Sequence, residues 1–472
     1  MILPRLRAPS VSPLLWLKLA VVAGVLYLSA TFAPRASLFS LIPFAGIGVA
    51  LVLIRKPELG LLALLVSALV VPFSIGTGTQ TQLHLAFLLI PLMVAVWVAE
   101  MVRKKSVRLV PSSVNAPLLL FALSATLSFL AGNLPWNYFA STASLSAQLG
   151  GLAVFVFSVA VFLLVANQVQ DLRWLKILLW LFLALGSIYI IGRIVPGLGR
   201  LSGLFPTGAT GSVFWIWLVA LAAGQALFND DIPISARAAT FALALATLAV
   251  GILQGFSWAS GWLPPLIALM LLVWLRAPRA GLLLLVPLGI VFAMNYTHIR
   301  DSVLTTGDNL YSWETRLAAW QIVFEIVKAN PILGLGPANY YFAVQLLPIM
   351  GYYVQFNSHN NYVDIIAQTG GLGLGLFLWC MLAIGRVGWS LRARVEDGFA
   401  RGYVNGCLAG LAGTLAAGML GDWFLPFVYN IGIAGFRASM LAWLFLGGLV
   451  ALEQAVSHSL LTNPLLLTTP EY

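Results

Sequence analysis

The residues best suited to chemistry gather in one run, Asn357-Ser358-His359-Asn360-Asn361-Tyr362-Val363-Asp364. An apolar stretch follows at once, so this polar cluster is expected on the first turns of a membrane helix. Asn357 or Ser358 can cap that helix with a side-chain oxygen. A helix N-terminus carries partial positive charge, which favours a bound anion and holds a nearby imidazole neutral. A neutral histidine at a membrane surface is a competent general base. The same residues would serve equally well as a polar cap in headgroup water, with His359 an ordinary interfacial side chain. His298 has no comparable company.

Two arginine-bearing segments could meet an anion. Ser312 reads as the N-cap of a helix with Glu314 in its first turn, and Asn330-Pro331 ends it. Trp313, Leu317, Trp320, Phe324 and Val327 recur on one stripe, so this amphipathic helix should lie apolar side down on membrane or bundle. Glu314, Gln321, Glu325 and Lys328 share another side. Arg316 falls at the margin of the stripe beside Val323, with no acid three or four residues away. Such an arginine either snorkels to lipid phosphate or holds an anionic substrate group. The second segment, Gly197 to Gly208, is glycine-rich and carries Arg200, with Arg193 just before it. It is either a flexible turn or an anion nest.

The elements that must position these residues are membrane helices. Of 472 residues, 61% are hydrophobic and 8% charged, against about 25% charged in soluble domains. A soluble enzyme, a nucleic-acid binder read from the net charge of +10 and a disordered chain are all excluded. Apolar runs long enough to cross a bilayer number about fourteen. They fall near 14–33, 38–54, 59–76, 83–102, 115–132, 149–166, 173–195, 212–228, 236–254, 260–275, 280–296, 359–385, 402–421 and 431–453. The fold class is therefore all-α, a polytopic transmembrane helical bundle with one long outer loop containing an amphipathic helix. Its parts are an N-terminal transmembrane bundle (1–295), the large loop (296–358) and C-terminal helices (359–472). With both termini in the cytoplasm, most of the 25 Lys and Arg face inside, as the positive-inside rule requires. The first span reads as a retained helix rather than a cleaved signal, because Pro34 follows the only candidate cleavage site. Cys380 and Cys407 sit singly in apolar spans and lack metal or redox spacing. Gly334-Leu335-Gly336 lacks the strand and third glycine of a dinucleotide loop. No P-loop, zinc motif or serine elbow occurs, so neither metal nor cofactor is expected. Asp422 and Arg437, near the start of the last span, are candidates for cavity residues or a mutual pair.

Together these residues resemble the O-antigen ligase and O-antigen polymerase superfamily. The stretch from Ser358 to Gly373 is similar to the family's His-Asn pair, Tyr, acidic residue, Thr-Gly and glycine-rich helix. Arg316-Leu317-Ala318-Ala319-Trp320 and the later Pro331-Ile332-Leu333-Gly334-Leu335-Gly336 resemble its Arg-x-x-x-Trp helix and Pro-x-x-Gly-x-Gly turn. Arg200-Leu201-Ser202-Gly203-Leu204-Phe205 is a weaker match. The likeness spans residues 190–385. It departs at Phe256-Ser257-Trp258-Ala259-Ser260-Gly261, where the family often has a Ser-Arg motif and this chain has no arginine.

The resemblance implies an inverting, metal-independent glycosyltransferase of the bacterial inner membrane, its active site on the outer face. The donor would be a glycan on a polyprenyl pyrophosphate, and the acceptor a hydroxyl of a glycan, lipid or protein. Membrane lipids are its other partners; nucleic acid is not one. By this analogy Arg316 and Arg200 hold the pyrophosphate and His359 orients or deprotonates the acceptor. Arg193, Asn360, Asn361, Tyr362 and Asp364 would surround the substrate. The rival expectation is a lipid-linked oligosaccharide flippase or other polysaccharide transporter, which would carry ionisable residues through the middle of its helices.

Overall fold

The computed structural model describes Gly48, residues 55–76, 82–135, 140–294, Tyr296 and 308–462. The expected spans at 14–33 and 38–54, and His298, lie outside the described residues, Gly48 apart. Every element below falls within the unit Lys56–Tyr472.

In hydrocarbon each backbone polar group needs an internal partner, so the apolar runs fold as helices. Helix α1 (Pro57–Leu69) starts with proline in its first turn, where no amide hydrogen is missed. A short antiparallel hairpin, β1 (Ser74–Gly76) and β2 (Gln82–His84), leads to α2 (Leu85–Arg103). Then come α3 (Asn115–Ala131), α4 (Leu145–Gln168) and α5 (Leu172–Ile194). Ser144 and Asp171 cap α4 and α5 by accepting from the backbone amides of Ala147 and Arg173. A single turn, α6 (Gly199–Ser202), precedes α7 (Ser212–Phe228), α8 (Ile234–Gly255), α9 (Ala259–Arg276) and α10 (Pro278–Met294). The short break expected around Gly255 is real, and α9 resumes at Ala259.

Next come α11 (Asp308–Val327) and the short α12 (Tyr340–Ala343), and the bundle closes with α13 (Asn361–Arg394), α14 (Phe399–Leu420) and α15 (Gly432–Thr462). Eight of the described helices are long and apolar enough to cross a membrane, and α1, α3 and α7 are shorter apolar helices. The protein is thus a helical membrane protein.

Helix α7 forms the centre, packed against α8, α9 and α14, while α15 packs on α4 and α13 on α3. The sequence of α14 explains how closely α7 approaches. Gly402, Gly406 and Gly410 recur every four residues on one face. A Cβ on Gly406 would lie 3.1 Å from the Ala220 carbonyl, and one on Gly410 3.0 Å from the Trp217 ring. Small residues at this spacing let helix backbones pack without side chains between them.

One irregularity positions the loop. Helix α13 breaks at Gly370, whose φ of 67° is left-handed. The segment 331–336 fills the break. The amides of Leu335 and Gly336 donate to the carbonyls of Ala367 (2.9 Å) and Gln368 (3.1 Å), and those of Gly371 and Leu372 donate back to Pro331 (2.8 Å) and Ile332 (3.2 Å). Gly334 has a φ of 68° and lies so near that a Cβ would be 2.6 Å from the Gly370 nitrogen. A broken helix survives in a membrane protein only where protein supplies such partners. The Gly-Leu-Gly turn and the Thr-Gly-Gly of the next helix are two halves of one joint.

Helix α11 begins at Asp308, so Ser312 lies inside it rather than at its cap. The face it buries is also rotated from the expected stripe. Ala319, Val323 and Val327 are buried, whereas Leu317 and Phe324 are 42% and 47% exposed. At about 100° per residue Arg316 falls on the buried side, between Val323 and Val327.

Candidate active site at the histidine end of the bundle

The strand entering α13 carries the histidine. Asn360 is the N-cap: its side-chain oxygen accepts from the amides of Tyr362 (2.9 Å) and Val363 (3.3 Å). The expected caps, Asn357 and Ser358, lie too early, because His359 has a φ of 49° and cannot continue the helix. The Ser358 hydroxyl lies 2.7 Å from an Asp364 carboxylate oxygen and 2.9 Å from the Asn360 carbonyl, and its own oxygen accepts the Asn360 amide at 3.1 Å. The Tyr340 hydroxyl donates to the same Asp364 oxygen at 2.5 Å and accepts the Ser358 amide at 3.2 Å. Burial, then the charges of Asp364 and Asp422, pushes the Tyr340 phenol well above its ordinary range. The histidine is thus held in a left-handed kink by a buried Tyr-Ser-Asp network beneath it.

Helix α11 supplies the arginine. Trp320 donates its indole N–H to the carbonyl of Ser358 at 2.8 Å, which ties this helix to the residue before the histidine. Arg316, one turn earlier, is half-buried and its Nε has no hydrogen-bond partner among the described residues. Burial pulls the guanidinium below its ordinary value, and no neighbouring acid offsets this. Burial, and next the charge of Arg316, lowers His359 to about 4. The two side chains therefore feel one another, and the imidazole is neutral at neutral pH. An under-paired guanidinium coupled to a neutral imidazole has the chemistry to hold an anion and to meet a hydroxyl.

The α14–α15 connection closes the site. Asp422 is fully buried; its Oδ2 accepts the Phe427 amide at 2.8 Å and its Oδ1 accepts from the Asn430 side chain at 2.5 Å. Asn430 Nδ2 also lies 3.4 Å from Nδ1 of His359. Burial raises Asp422 to about 6 against the pull of these donors. Asp422 and Asn430 thus form a line to the histidine.

Asp422 has no bond to Arg437, contrary to the expected pairing. Arg437 instead donates to the carbonyls of Ser67 (2.9 Å) and Ala68 (3.2 Å), orphan groups in the last turn of α1, and of Val71 (2.9 Å) and Phe73 (3.3 Å) just beyond it.

The other expected substrate residues are occupied within the protein. Asn361 donates to the Leu425 carbonyl at 2.8 Å and accepts the Phe424 amide at 2.8 Å. Tyr362 donates to the Leu415 carbonyl at 2.8 Å, Asn360 to Met419 at 3.4 Å, and Asp364 is buried in the network above. These groups position the cluster, and their polar atoms are engaged within the protein except for the buried Asp364 Oδ2, which has no hydrogen-bond partner among the described residues. Arg193 is likewise engaged, with two nitrogens on Gln254 Oε1 at 3.0 and 2.9 Å and a third on the Tyr189 hydroxyl at 3.0 Å. Arg200 is exposed on α6. Among the described residues no hydrogen bond or ion pair joins either arginine to His359. Aromatic rings run between the two places: Tyr189 to Trp215 (5.8 Å), Trp215 to Trp258 (6.2 Å) and Trp258 to Trp423 (5.6 Å), beside Asp422.

The structure thus ties the helix of Arg316 to the residue before His359 through Trp320, brings Asp422 to the same place, and adds Tyr340 and Asn430. Asp422 had a signal, as a lone acid in an apolar connection. Asn430 had none, since its place depends on how that connection folds back. In comparison with known proteins, the chain matches no family model and no curated protein.

Proposed function

We propose that the protein is a membrane glycosyltransferase that moves a glycan from a polyprenyl pyrophosphate to an acceptor hydroxyl at the outer leaflet, as an O-antigen or exopolysaccharide ligase or polymerase would. The observation that carries this reading is the pairing of a partly desolvated, under-partnered Arg316 with a neutral His359 at one end of the bundle. In the reaction the bond from the sugar's anomeric carbon to the diphosphate oxygen breaks and a bond to the acceptor oxygen forms. The diphosphate leaves with the electron pair, and the acceptor hydroxyl gives up its proton. Arg316 neutralises the charge that grows on the departing diphosphate, which stabilises the transition state more than the bound donor. His359 meets the acceptor hydroxyl. Arg200, exposed and without a hydrogen-bond or ion-pair partner among the described residues, is available to the phosphate or glycan further out. The lipid diphosphate itself supplies the driving force.

The experiment uses purified protein in lipid nanodiscs, a labelled polyprenyl-pyrophosphate glycan and candidate acceptors, with the product read by mass spectrometry. Transfer by the wild type, lost in His359→Ala and strongly reduced in Arg316→Lys, supports the reading. Lysine keeps the charge but not the planar fork. Movement of the labelled lipid across vesicles without any transfer would replace it with a flippase.

A further inference from the structure

We propose that Asn430 is a positioning residue that fixes His359 as the tautomer protonated on Nε2. The tautomer itself does not depend on the transferase reading; only its consequence for catalysis does.

The argument starts at Asp422. This side chain is fully buried, and its Oδ2 receives the Phe427 amide at 2.8 Å. Its Oδ1 lies 2.5 Å from the Asn430 side-chain nitrogen. An amide has one acceptor end and one donor end, and its bonding partners decide which way round it sits. Turning the Asn430 amide over would press its oxygen against the Asp422 oxygen, two acceptors with no hydrogen between them. The NH2 end therefore faces the acid. One of its hydrogens goes to Asp422, and the second faces His359 Nδ1 at 3.4 Å. Nδ1 then presents its lone pair, and in a neutral imidazole the single hydrogen sits on Nε2. Burial and the Arg316 charge keep the ring neutral, so the choice of nitrogen matters.

Nε2 lies across the ring from Asn430, and no hydrogen bond to it is found among the described residues. The free edge of the histidine is accordingly an N–H donor on a ring that feels the Arg316 charge. Such an edge orients an acceptor oxygen or binds a phosphate oxygen; it cannot take a proton there. Of the two roles open to His359, orienting the acceptor and deprotonating it, this geometry selects the first. The hydroxyl proton then passes to water or phosphate after the new bond has begun to form.

The test reads the tautomer directly. Protein labelled with nitrogen-15 in its histidine rings is placed in nanodiscs at neutral pH, and His359→Gln identifies the His359 signals. Free histidine already favours the Nε2-protonated form modestly, so the diagnostic feature is the absence of the minor form. The wild type should show the Nε2-protonated species alone. Asp422→Asn and Asn430→Ala remove the constraint, and a Nδ1-protonated fraction should appear in both. A mixture in the wild type, or variants identical to it, would overturn the proposal. Should a variant fail to fold, the wild-type spectrum still decides. A protein with the expected spectrum and no transfer activity would sink the transferase reading and leave the tautomer assignment standing.

Discussion

If Arg316 and His359 occupy one site, neutralising the first must change the protonation of the second. An ordinary histidine titrates at 6.5, and His359 is lowered to about 4. The gap corresponds to roughly 3 kcal/mol against protonating the ring in the folded protein. Two causes act, burial first and the Arg316 charge second. Arg316→Gln removes the charge and keeps most of the bulk. Its effect must be smaller than that of burial, so the titration midpoint should rise from about 4 but stop short of about 5, halfway back to the ordinary value. The assay is a pH titration of the His359 ring signals by NMR in nanodiscs. His84 supplies an internal control. Burial, then the charge of Arg437, lowers it to about 3, and its Nε2 is bonded to the Ile433 carbonyl at 3.1 Å. It should not respond to Arg316→Gln. A His359 midpoint unmoved by the substitution would mean that the two side chains do not share an environment, and the site would dissolve.

Stability is a poorer reporter of the same effect. A histidine with a depressed folded value costs nothing above pH 6.5 and progressively destabilises the fold as pH falls from 6.5 towards 4. Asp422 works in the opposite sense. Its folded value is raised from 3.8 to about 6, so the folded state gains stability as pH falls through that window. The two trends offset one another between pH 6 and pH 4, and a melting curve across that range would look flatter than either group alone predicts.

Other outcomes follow from the same contacts. Tyr340→Phe removes a donor from the buried Asp364 and an acceptor from the Ser358 amide, and should cost roughly 1–3 kcal/mol, read as a lower melting temperature, together with loss of transfer as the His359 kink relaxes. Arg193→Ala breaks the bonds to Gln254 and Tyr189 and should lower thermal stability, whereas Arg200→Ala should leave stability unchanged and raise KM for the lipid-linked donor. Gly334→Ala forces a side chain into a left-handed position 2.8 Å from the Ala367 carbonyl; about 1–2 kcal/mol for the backbone conformation alone, and more for the clash, should appear in the melting temperature, and transfer should fall because the α11 loop loses its seat on α13.

How much of this could be read from the chain alone depends on the range of the physics involved. The membrane helices follow from local composition, because a run of apolar residues must satisfy its own backbone in lipid. The break at Phe256–Trp258 and the end of α11 before Asn330-Pro331 were legible from equally local signals, a gap between apolar runs and a proline. The cap of α13 was missed by two or three residues. Asn357, Ser358 and Asn360 are all good caps by type, and the choice was made by Asp364 and Tyr340, which claim Ser358 from below. The buried face of α11 was misjudged because its exposed side is also apolar. Leu317 and Phe324 look like core residues in sequence, but the helix turns Ala319 and Val323 inward.

That rotation is what gives Arg316 its role. An arginine at the edge of an interfacial stripe would reach lipid phosphate and stay solvated. On the buried side of α11 it loses solvation without gaining an acid, and its charge falls on the next polar group inward, His359. Leaving a guanidinium partly unpaired is costly, and a fold tolerates it where an anion arrives to complete the pairing. The joint between segment 331–336 and the broken α13 explains how the rotation is enforced. By pinning the end of the α11 loop to the carbonyls of Ala367 and Gln368, it leaves Trp320 no choice but to meet Ser358, and Arg316 is carried in behind it. On the proposed function, the glycines of that joint act on the chemistry at a distance, through the angle of one helix, which is why Gly334→Ala should change turnover while touching neither Arg316 nor His359.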